Sequence, residues 1–342
     1  MYQSLEINKI MKTYIYFLLL IGFSATAQLN IPAHFSYVEQ GFYEQLMYDK
    51  EANTTKSLFS TEINPFYLNR YEVSVQDYKQ FCDATKRQMP TQPDWSNAKM
   101  PVVNITYYDA IDYCSWLSKV YNMPFRLPTK TEWEHAARNG EYETNNFIYA
   151  AKMPNEFVNY IENTNNKPKC ISCAQPNELG LYNMSGNVWE WTLQQLKGET
   201  TLVVGGSFLN DSSHVQVTSE KEFNMSDRSE TLGFRILVEA KDFENYMFLE
   251  KAQTLLKNAF NQNPPFKITK EGVFYNNLFV LWNNGYETVS IIDETNHIEF
   301  CCWVQDLENP GVESTKPLRI KFDKKNRKQV DVLIEHLNSF YN

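Results

Sequence analysis

Residues 180–191 read GLYNMSGNVWEW, and this stretch says more about the fold than any other part of the chain. Gly186 suits a backbone position where a Cβ atom would clash. Asn183 and Glu190 carry side-chain oxygens, and the backbone carbonyls of Gly186 and Val188 lie between them in the chain. Hard oxygen donors of this kind suit Ca²⁺. Two interpretations stay open: a structural calcium site, or a calcium-free loop that Asn183 and Glu190 close with hydrogen bonds.

Three helices are predicted before this stretch, each from a hydroxyl residue three positions ahead of an acidic one. The hydroxyl accepts a hydrogen bond from the backbone of the first turn, and the acidic side chain returns one. Apolar residues at helical spacing follow in each case. The third helix is predicted to close at Gly140. The pairs are Ser74 with Asp77, Thr106 with Asp109, and Thr129 with Glu132.

Cys170 and Cys173 stand out among the six cysteines because only two residues separate them. The pair is compatible with a metal half-site, a redox pair or a disulfide across a tight turn. No second C-x-x-C motif follows, so a structural zinc site would lack half of its ligands. We therefore favour a small-loop disulfide, which would staple the long Asn- and Pro-rich surface loop predicted at residues 159–177.

Further segments accompany GLYNMSGNVWEW in a fixed order, and the longest reads RLPTKTEWE at residues 126–134. Together they resemble the formylglycine-generating-enzyme family, also called sulfatase-modifying factors, over residues 33–240. The resemblance implies an irregular, C-type-lectin-like α+β fold. It also implies a structural calcium at the positions of Asn183, Gly186, Val188 and Glu190. The other matching segments are residues 35–42, 65–74, 101–118, 205–208 and 232–235.

The same resemblance shows what this chain lacks. Formylglycine formation in the family needs a pair of cysteines that binds Cu(I), located after a Gly-Gly-Ser motif. Counting on from Ser207 without gaps places Ser213, Val215 and Glu220 where the family has Ser, Cys and Cys. Residues 208–231 contain no cysteine, and neither valine nor a hard carboxylate suits Cu(I). We therefore expect no copper and no oxidase activity.

His214 lies in the segment that forms the active-site cleft of the family, close in sequence to Asp211 and Ser213. One hypothesis is an acid–base site in which His214 pairs with Asp211 or Glu220. The chain would then be an enzyme with a relocated active site, acting on an exported protein or a small molecule. The other interpretation makes His214 a surface loop residue. His135, in the third predicted helix, is expected to pack in the core.

The N-terminus has the pattern of a secretory signal. Lys9 and Lys12 precede the apolar run YIYFLLLIGF at residues 14–23, and an Ala-Thr-Ala site ends at Ala27. Residues 1–27 are therefore predicted to be a signal peptide, with an uncleaved anchor as the alternative. The run is shorter than the ~20 apolar residues of a membrane-spanning helix. We expect export to the periplasm, the cell surface or the medium, with no transmembrane segment after cleavage.

Residues 241–342 show a different pattern and no catalytic motif. Two amphipathic helices enclose strand-like runs, which predicts a small α+β domain of unknown role. His297 and His336 are isolated and are predicted to be surface or edge histidines, not ligands. The helices are predicted at residues 243–260 and 330–340, and the strands at residues 273–282, 287–293 and 298–304.

The 342-residue chain carries 41 acidic and 32 basic residues, a formal net charge of −9. Because a nucleic-acid partner needs clustered Lys and Arg, none is expected. Export, the altered cleft and the added domain favour a non-catalytic scaffold that binds an envelope protein or an extended peptide. Family members also occur in motility and secretion assemblies. By analogy of fold alone, this chain is expected to be part of such an assembly.

Overall fold

The computed structural model describes residues 31–49, 54–139, 157–196 and 198–260, together with shorter segments between 264 and 338. The chain divides into two compact units, and the boundary lies between Phe243 and Glu244. The sequence had placed it between residues 240 and 241. The predicted signal segment, residues 1–27, lies outside the described residues.

The first unit, up to Phe243, mixes short helices and strands. Its helices are α1 (Ile31–His34), α2 (Val75–Thr85), α3 (Tyr107–Tyr121), α4 (Lys130–Ala137) and α5 (Ile161–Thr164). Its strands are β1 (Phe35–Val38), β2 (Gly41–Asp49), β3 (Thr54–Ile63), β4 (Phe66–Asn69), β5 (Trp189–Gln195), β6 (Thr200–Val204), β7 (Glu220–Asn224), β8 (Leu232–Gly233) and β9 (Leu237–Glu239). Helix α6 (Ala240–Ala259) contains the boundary.

The three predicted helix starts are confirmed. Helices α2, α3 and α4 each begin with the capping box expected from the sequence. In α2, for example, the Ser74 hydroxyl accepts a hydrogen bond of 3.0 Å from the Asp77 backbone N–H. Helix α4 ends at Ala137, earlier than predicted, because Arg138 already leaves the helical region at φ −90° and ψ 16°. Gly140 itself lies outside the described residues.

Within the described residues, the strands of the first unit pair in the orders β1-β4-β9, β2-β3 and β7-β6-β5-β8. Strand β5 pairs antiparallel with β6 and parallel with β8. It begins at Trp189, so the end of the GLYNMSGNVWEW stretch lies inside this sheet. Trp189, Glu190 and Trp191 are all buried there. The mixture of helices and strands confirms the predicted α+β class.

Large aromatic side chains join the helices of this unit to its sheets. Trp133 of α4 and Trp191 of β5 are fully buried. Tyr78 of α2 stacks on Tyr113 of α3 with ring centroids 5.8 Å apart. Full burial of a large apolar side chain stabilises the fold by roughly 1.5–3 kcal/mol. These contacts explain the high aromatic content of the sequence.

The second unit, from Glu244 onward, has its own core of apolar side chains from α6, the strands and the last helix, α7 (Arg327–Asn338). Within the described residues its strands pair in the orders β10-β11-β12-β15-β16 and β13-β14-β17. The strands are β10 (Lys267–Ile268), β11 (Gly272–Tyr275), β12 (Leu278–Leu281), β13 (Thr288–Ile292), β14 (His297–Cys301), β15 (Val304–Asp306), β16 (Glu313–Ser314) and β17 (Leu318–Lys321).

The predicted pair of helices in this unit is confirmed, but its strands are more numerous than the sequence indicated. The run predicted as one strand at residues 273–282 contains both β11 and β12. Their register places Tyr275 opposite Leu278, so the chain reverses direction within the apolar run. Hydrophobic periodicity does not reveal a reversal when apolar residues stand on both sides of it. Among the described residues, no helix combines the length and apolar character needed to cross a bilayer.

Candidate metal centre around Glu72 and Glu190

A buried polar cluster forms where β5 meets the chain around Glu72. Glu190 and Arg235 are almost completely inaccessible, at 1% and 0% exposed. The Arg235 guanidinium donates to both carboxylate oxygens of Glu190, from Nε to Oε2 and from Nη2 to Oε1, each at 2.7 Å. Trp133 Nε1 donates a third hydrogen bond of 2.8 Å to Oε2. This two-point geometry is the strongest form of a carboxylate–arginine pair.

Glu72, the second buried carboxylate, binds two asparagines of the GLYNMSGNVWEW stretch. Asn183 Nδ2 donates to Glu72 Oε2 and Asn187 Nδ2 donates to Glu72 Oε1, both at 2.8 Å. The two asparagines have left-handed backbones, with φ of 54° and 65°. Asparagine is among the few residues that adopt this region readily. Glu72 therefore holds a tight turn through both of its oxygens.

The charges of this cluster do not balance. Glu72 and Glu190 supply two carboxylates, and Arg235 supplies one guanidinium. Burial raises the pKa of Glu72 to about 7, with Arg235 lowering it and Glu190 raising it further. An unpaired negative charge in a dry interior is unfavourable by several kcal/mol unless a proton or a cation neutralises it. One additional positive charge would therefore neutralise the cluster.

Asn159 is a member of this cluster that the sequence did not reveal. Its Nδ2 donates to Asn183 Oδ1 at 2.9 Å, whereas its own Oδ1 is buried and makes no hydrogen bond within the described part of the chain. Gly186 lies directly against it: a Cβ atom there would stand 2.0 Å from the Asn159 carbonyl oxygen. Nothing in the local pattern of hydrophobic or charged residues around position 159 marks it as special.

The four predicted calcium ligands, Asn183, Gly186, Val188 and Glu190, lie on this turn and at the start of β5. Glu190 already accepts three hydrogen bonds and Asn183 Oδ1 accepts one, and a carboxylate has about four lone-pair positions. Among the described residues, no group of three or more His, Cys, Asp or Glu side chains is arranged for a metal. A cation here would depend on amide and backbone carbonyl oxygens with one carboxylate. That donor set and the surplus negative charge fit Ca²⁺ and not a softer metal.

Cys170 and Cys173 form a disulfide, which confirms the small-loop prediction. The predicted surface loop at residues 159–177 also contains the short helix α5. The disulfide turn lies against the cluster, because the Ile171 carbonyl accepts a hydrogen bond of 3.2 Å from Asn183 Nδ2. The sequence did not indicate this contact, since it joins segments that neither motif nor spacing connects.

The structure brings three of the four predicted cleft residues together. Asp211, Ser213 and His214 belong to an exposed 3₁₀ turn. Ser213 Oγ lies 2.9 Å and Asp211 Oδ1 lies 2.8 Å from the same ring nitrogen, His214 Nδ1. A proton relay needs the acid and the hydroxyl at opposite ring nitrogens. The hydrogen bonds from Ser213 and His214 lower the pKa of Asp211 to about 2, so this group is a capped turn with an ionised aspartate.

The fourth predicted cleft residue, Glu220, has a different partner. Its carboxylate lies 3.0 Å from Lys130 Nζ, which lies at the same distance from the buried Glu134. Val215, at the other position where the family has a cysteine, is 1% exposed and packs in the interior. His135 is buried, and its Nε2 lies 3.1 Å from the Glu39 carbonyl oxygen. Core packing of His135 was the predicted role.

Comparison with known proteins agrees with this architecture. The chain is 27% identical over 245 residues to "Chaperone protein LppX" of Paenibacillus barcinonensis, a match covering 54% of this chain and 85% of that protein. It is 33% identical over 119 residues to the formylglycine-generating enzyme of Mus musculus, covering 30% of each. It is 29% identical over 157 residues to the "Inactive C-alpha-formylglycine-generating enzyme 2" of Bos taurus, covering 40% of this chain and 50% of that protein.

The matched stretch therefore spans half or less of the length of these two formylglycine-generating-enzyme relatives. Among solved structures, PvdO from Pseudomonas aeruginosa superimposes with a TM-score of 0.52 at 20% identity, over 60% of this chain and 94% of that one, which shows the shared fold. A sequence profile described as "Sulfatase-modifying factor enzyme 1-like domain" matches residues 24–240. This chain belongs to the family of proteins built on the sulfatase-modifying factor, or formylglycine-generating-enzyme-like, domain.

Proposed function

We propose that this chain is an exported, non-catalytic member of the family, a scaffold that binds an envelope protein or an extended peptide. The observation that carries the proposal is which residues this chain has at the two positions where the family has its copper-binding cysteines. One holds Val215, a side chain buried in the interior, and the other holds Glu220, which pairs with Lys130. Neither offers a soft ligand, and residues 208–231 contain no cysteine that a shifted alignment would supply.

Two relatives support the proposal, the first for a binding role and the second for the loss of catalysis. One is described as a chaperone protein and another as an inactive formylglycine-generating enzyme. Because a fold does not fix function, a member that has lost the chemistry of the family can use the same fold to bind a polypeptide. Placement of this scaffold in a motility or secretion assembly of the envelope is part of the same proposal and rests on fold analogy.

The scaffold in this proposal is stabilised by one structural Ca²⁺ at the Glu190 cluster. Asn183 Oδ1 and Glu190 Oε1 would hold the ion together with the backbone carbonyls of Gly186 and Val188. The two carboxylates and Arg235 leave one negative charge unmatched, and a bound divalent cation would more than offset it. The four ligand residues, with the ion bound, would fix the turn that leads into β5.

The test of the non-catalytic claim is an oxidation assay with a matched variant. The purified chain and its Val215→Cys/Glu220→Cys variant are loaded with Cu(I) and incubated with O₂ and a cysteine-containing peptide. Mass spectrometry then follows loss of the peptide thiol to an aldehyde. We expect no copper retention and no conversion by the unmodified chain, whatever the variant does. Turnover by the unmodified chain would overturn the proposal.

The binding claim needs its own measurement. Cross-linking in intact cells, followed by mass spectrometry, is expected to join the chain to an envelope protein through the first unit. Deletion of residues 1–27 should abolish those cross-links, because the chain would stay in the cytoplasm. Recovery of cytoplasmic partners alone from the full chain would contradict both export and the scaffold role.

A further inference from the structure

Residues 168–174, here called the strap, close one side of the Glu72 cluster, and both ends of this segment are buried. The Lys169 backbone N–H donates to Asn187 Oδ1 at 2.8 Å. The Ile171 carbonyl accepts from Asn183 Nδ2 at 3.2 Å. The strap thus contacts both asparagines that bind Glu72, and it does so through backbone groups whose positions depend on the shape of the turn.

The shape of that turn is fixed by the Cys170–Cys173 disulfide. The covalent ring encloses Ile171, and the Cys173 backbone N–H donates to the Cys170 carbonyl at 3.1 Å. Cys173 is exposed at the surface, whereas Cys170 is partly covered. Ser172 Oγ lies 3.9 Å from Cys170 Sγ. Cys173 is therefore the more exposed residue of the pair, and the sulfur of Cys170 has a hydroxyl beside it.

We propose that Cys170–Cys173 is a thiol–disulfide exchange site for a dithiol, and that its reduction releases the strap from the Glu72 cluster. The site itself stands on the geometry of the strap. Its expected effect on Ca²⁺ rests on the proposed metal centre. The reactant class is a protein dithiol or its small-molecule equivalent, because a second thiol on the same reactant resolves the mixed-disulfide intermediate without a second reactant molecule.

The exchange follows a balanced sequence. A thiolate of the dithiol attacks Cys173 Sγ, a new S–S bond forms there, and the bond to Cys170 breaks with Cys170 leaving as a thiolate. The Ser172 hydroxyl is placed to donate to that leaving sulfur. The second thiol of the reactant then attacks the mixed disulfide and frees Cys173. Two electrons pass from the dithiol, which becomes a disulfide, and Cys170 and Cys173 take up the two protons.

Opening the ring restores rotation to the residues between the two sulfurs. The hydrogen bonds of the strap to Asn183 and Asn187 then have to form against the chain entropy that the ring had removed. Each such bond stabilises by an amount equivalent to about a tenfold change in an equilibrium constant. Reduction should therefore increase amide exchange in the strap by about tenfold or more.

The experiment compares hydrogen–deuterium exchange of the full chain before and after treatment with dithiothreitol under native conditions, with alkylation to show which cysteines reacted. We expect Cys170 and Cys173 to be alkylated and the strap to exchange about tenfold faster, while helix α3 stays unchanged. Resistance of the disulfide until the protein unfolds, or reduction with unchanged exchange in the strap, would overturn the proposal.

Two variants give the matched controls. Cys170→Ser/Cys173→Ser should show the fast exchange without reductant and no further change with it, which separates this site from the other four cysteines. Ser172→Ala should be reduced several-fold more slowly while the oxidised strap exchanges as in the parent chain, because only the leaving sulfur loses a donor. Equal reduction rates would remove Ser172 from the mechanism, and a fast-exchanging oxidised variant would show that its role is structural.

Calcium titration by calorimetry in the two redox states separates this inference from the metal proposal. We expect about tenfold weaker binding after reduction. No binding in either state, combined with faster exchange in the strap, would refute the metal centre and support the exchange site. Equal binding in both states with unchanged exchange would support the metal centre and refute the exchange site.

Discussion

Arg235 is the residue on which the electrostatics of the interior depend. It is completely buried, donates to both oxygens of Glu190, and also reaches the Tyr182 carbonyl at 2.9 Å. Glu72 lies close enough for this guanidinium to lower its pKa. Removing one partner of a buried ion pair leaves an uncompensated charge, which is far more unfavourable than losing a surface pair.

We predict that Arg235→Met destabilises the protein by about 3–5 kcal/mol at neutral pH. The measurement is the free energy of unfolding from urea denaturation. The control is Arg228→Gln, which removes a half-exposed arginine that pairs with Asp109 at 2.8 Å. That change should alter stability by less than about 1 kcal/mol. Equal effects of the two substitutions would contradict the buried-charge argument.

Gly186 gives a second prediction at this scale, because Gly198 has nearly the same φ angle without the contact. Their φ angles are 80° and 82°. A Cβ atom at Gly186 would stand 2.0 Å from the Asn159 carbonyl oxygen, whereas one at Gly198 has no atom within 4 Å among the described residues outside its immediate chain neighbours. Gly198→Ala should cost about 1 kcal/mol for the left-handed backbone, and Gly186→Ala at least about 2 kcal/mol more. Thermal unfolding of both variants checks the difference.

The contrast between these residues shows how far sequence reasoning reaches. Gly186 was predictable, because glycine inside a Trp-rich motif indicates a close approach of two chain segments. The residue that Gly186 contacts, Asn159, was not predictable, because a single asparagine in an Asn-rich loop has no distinguishing pattern. The pairing of Glu190 with Arg235 joins positions 45 residues apart, and one sequence does not encode such a distance in its spacing.

Helix α4 is the element that connects the buried cluster to the rest of the sheet region. It carries Trp133 into the cluster and His135 against the start of β2, where a Cβ atom on Gly41 would stand 2.5 Å from the imidazole ring. Its capping box was predictable from a four-residue pattern, since a helix cap is a local interaction. The strands of the second unit were predicted less well, because strand pairing depends on partners distant in sequence.

The position of His135 predicts an acid-sensitive contact between α4 and β2. Burial lowers the pKa of His135 from its usual 6.5, while the hydrogen bond to the Glu39 carbonyl opposes this shift. The folded state therefore binds the proton less tightly than the unfolded chain. Stability is full above the unfolded value of 6.5 and falls as the pH drops toward the lower folded value.

We expect His135→Phe to reduce the loss of unfolding free energy between about pH 7 and about pH 5, since phenylalanine does not titrate. Urea denaturation at both pH values measures it. A variant whose stability changes with pH as much as that of the parent chain would show that other groups control the acid response.

At the scale of the whole molecule, the chain combines a negative net charge, a first unit with a buried charged centre, and a second unit with its own apolar core. The sequence predicted the fold of the first unit because its motifs are long and ordered. The absence of the cysteine pair is read directly from the sequence, because a missing residue type does not depend on alignment. The sequence predicted the disulfide of the strap, but not the contacts of the strap with Asn183 and Asn187 or the charge imbalance, which exist only after folding.

The measurement that tests the central claim most directly is the metal content of the purified chain. The chain is prepared without chelators, dialysed, and analysed by inductively coupled plasma mass spectrometry. A non-catalytic scaffold with a calcium-stabilised centre predicts about one calcium per chain and no transition metal. Addition of a chelator should then lower the thermal midpoint. Stoichiometric copper, iron or zinc that survives dialysis would contradict the account, because it would mean that metal chemistry has moved to other ligands.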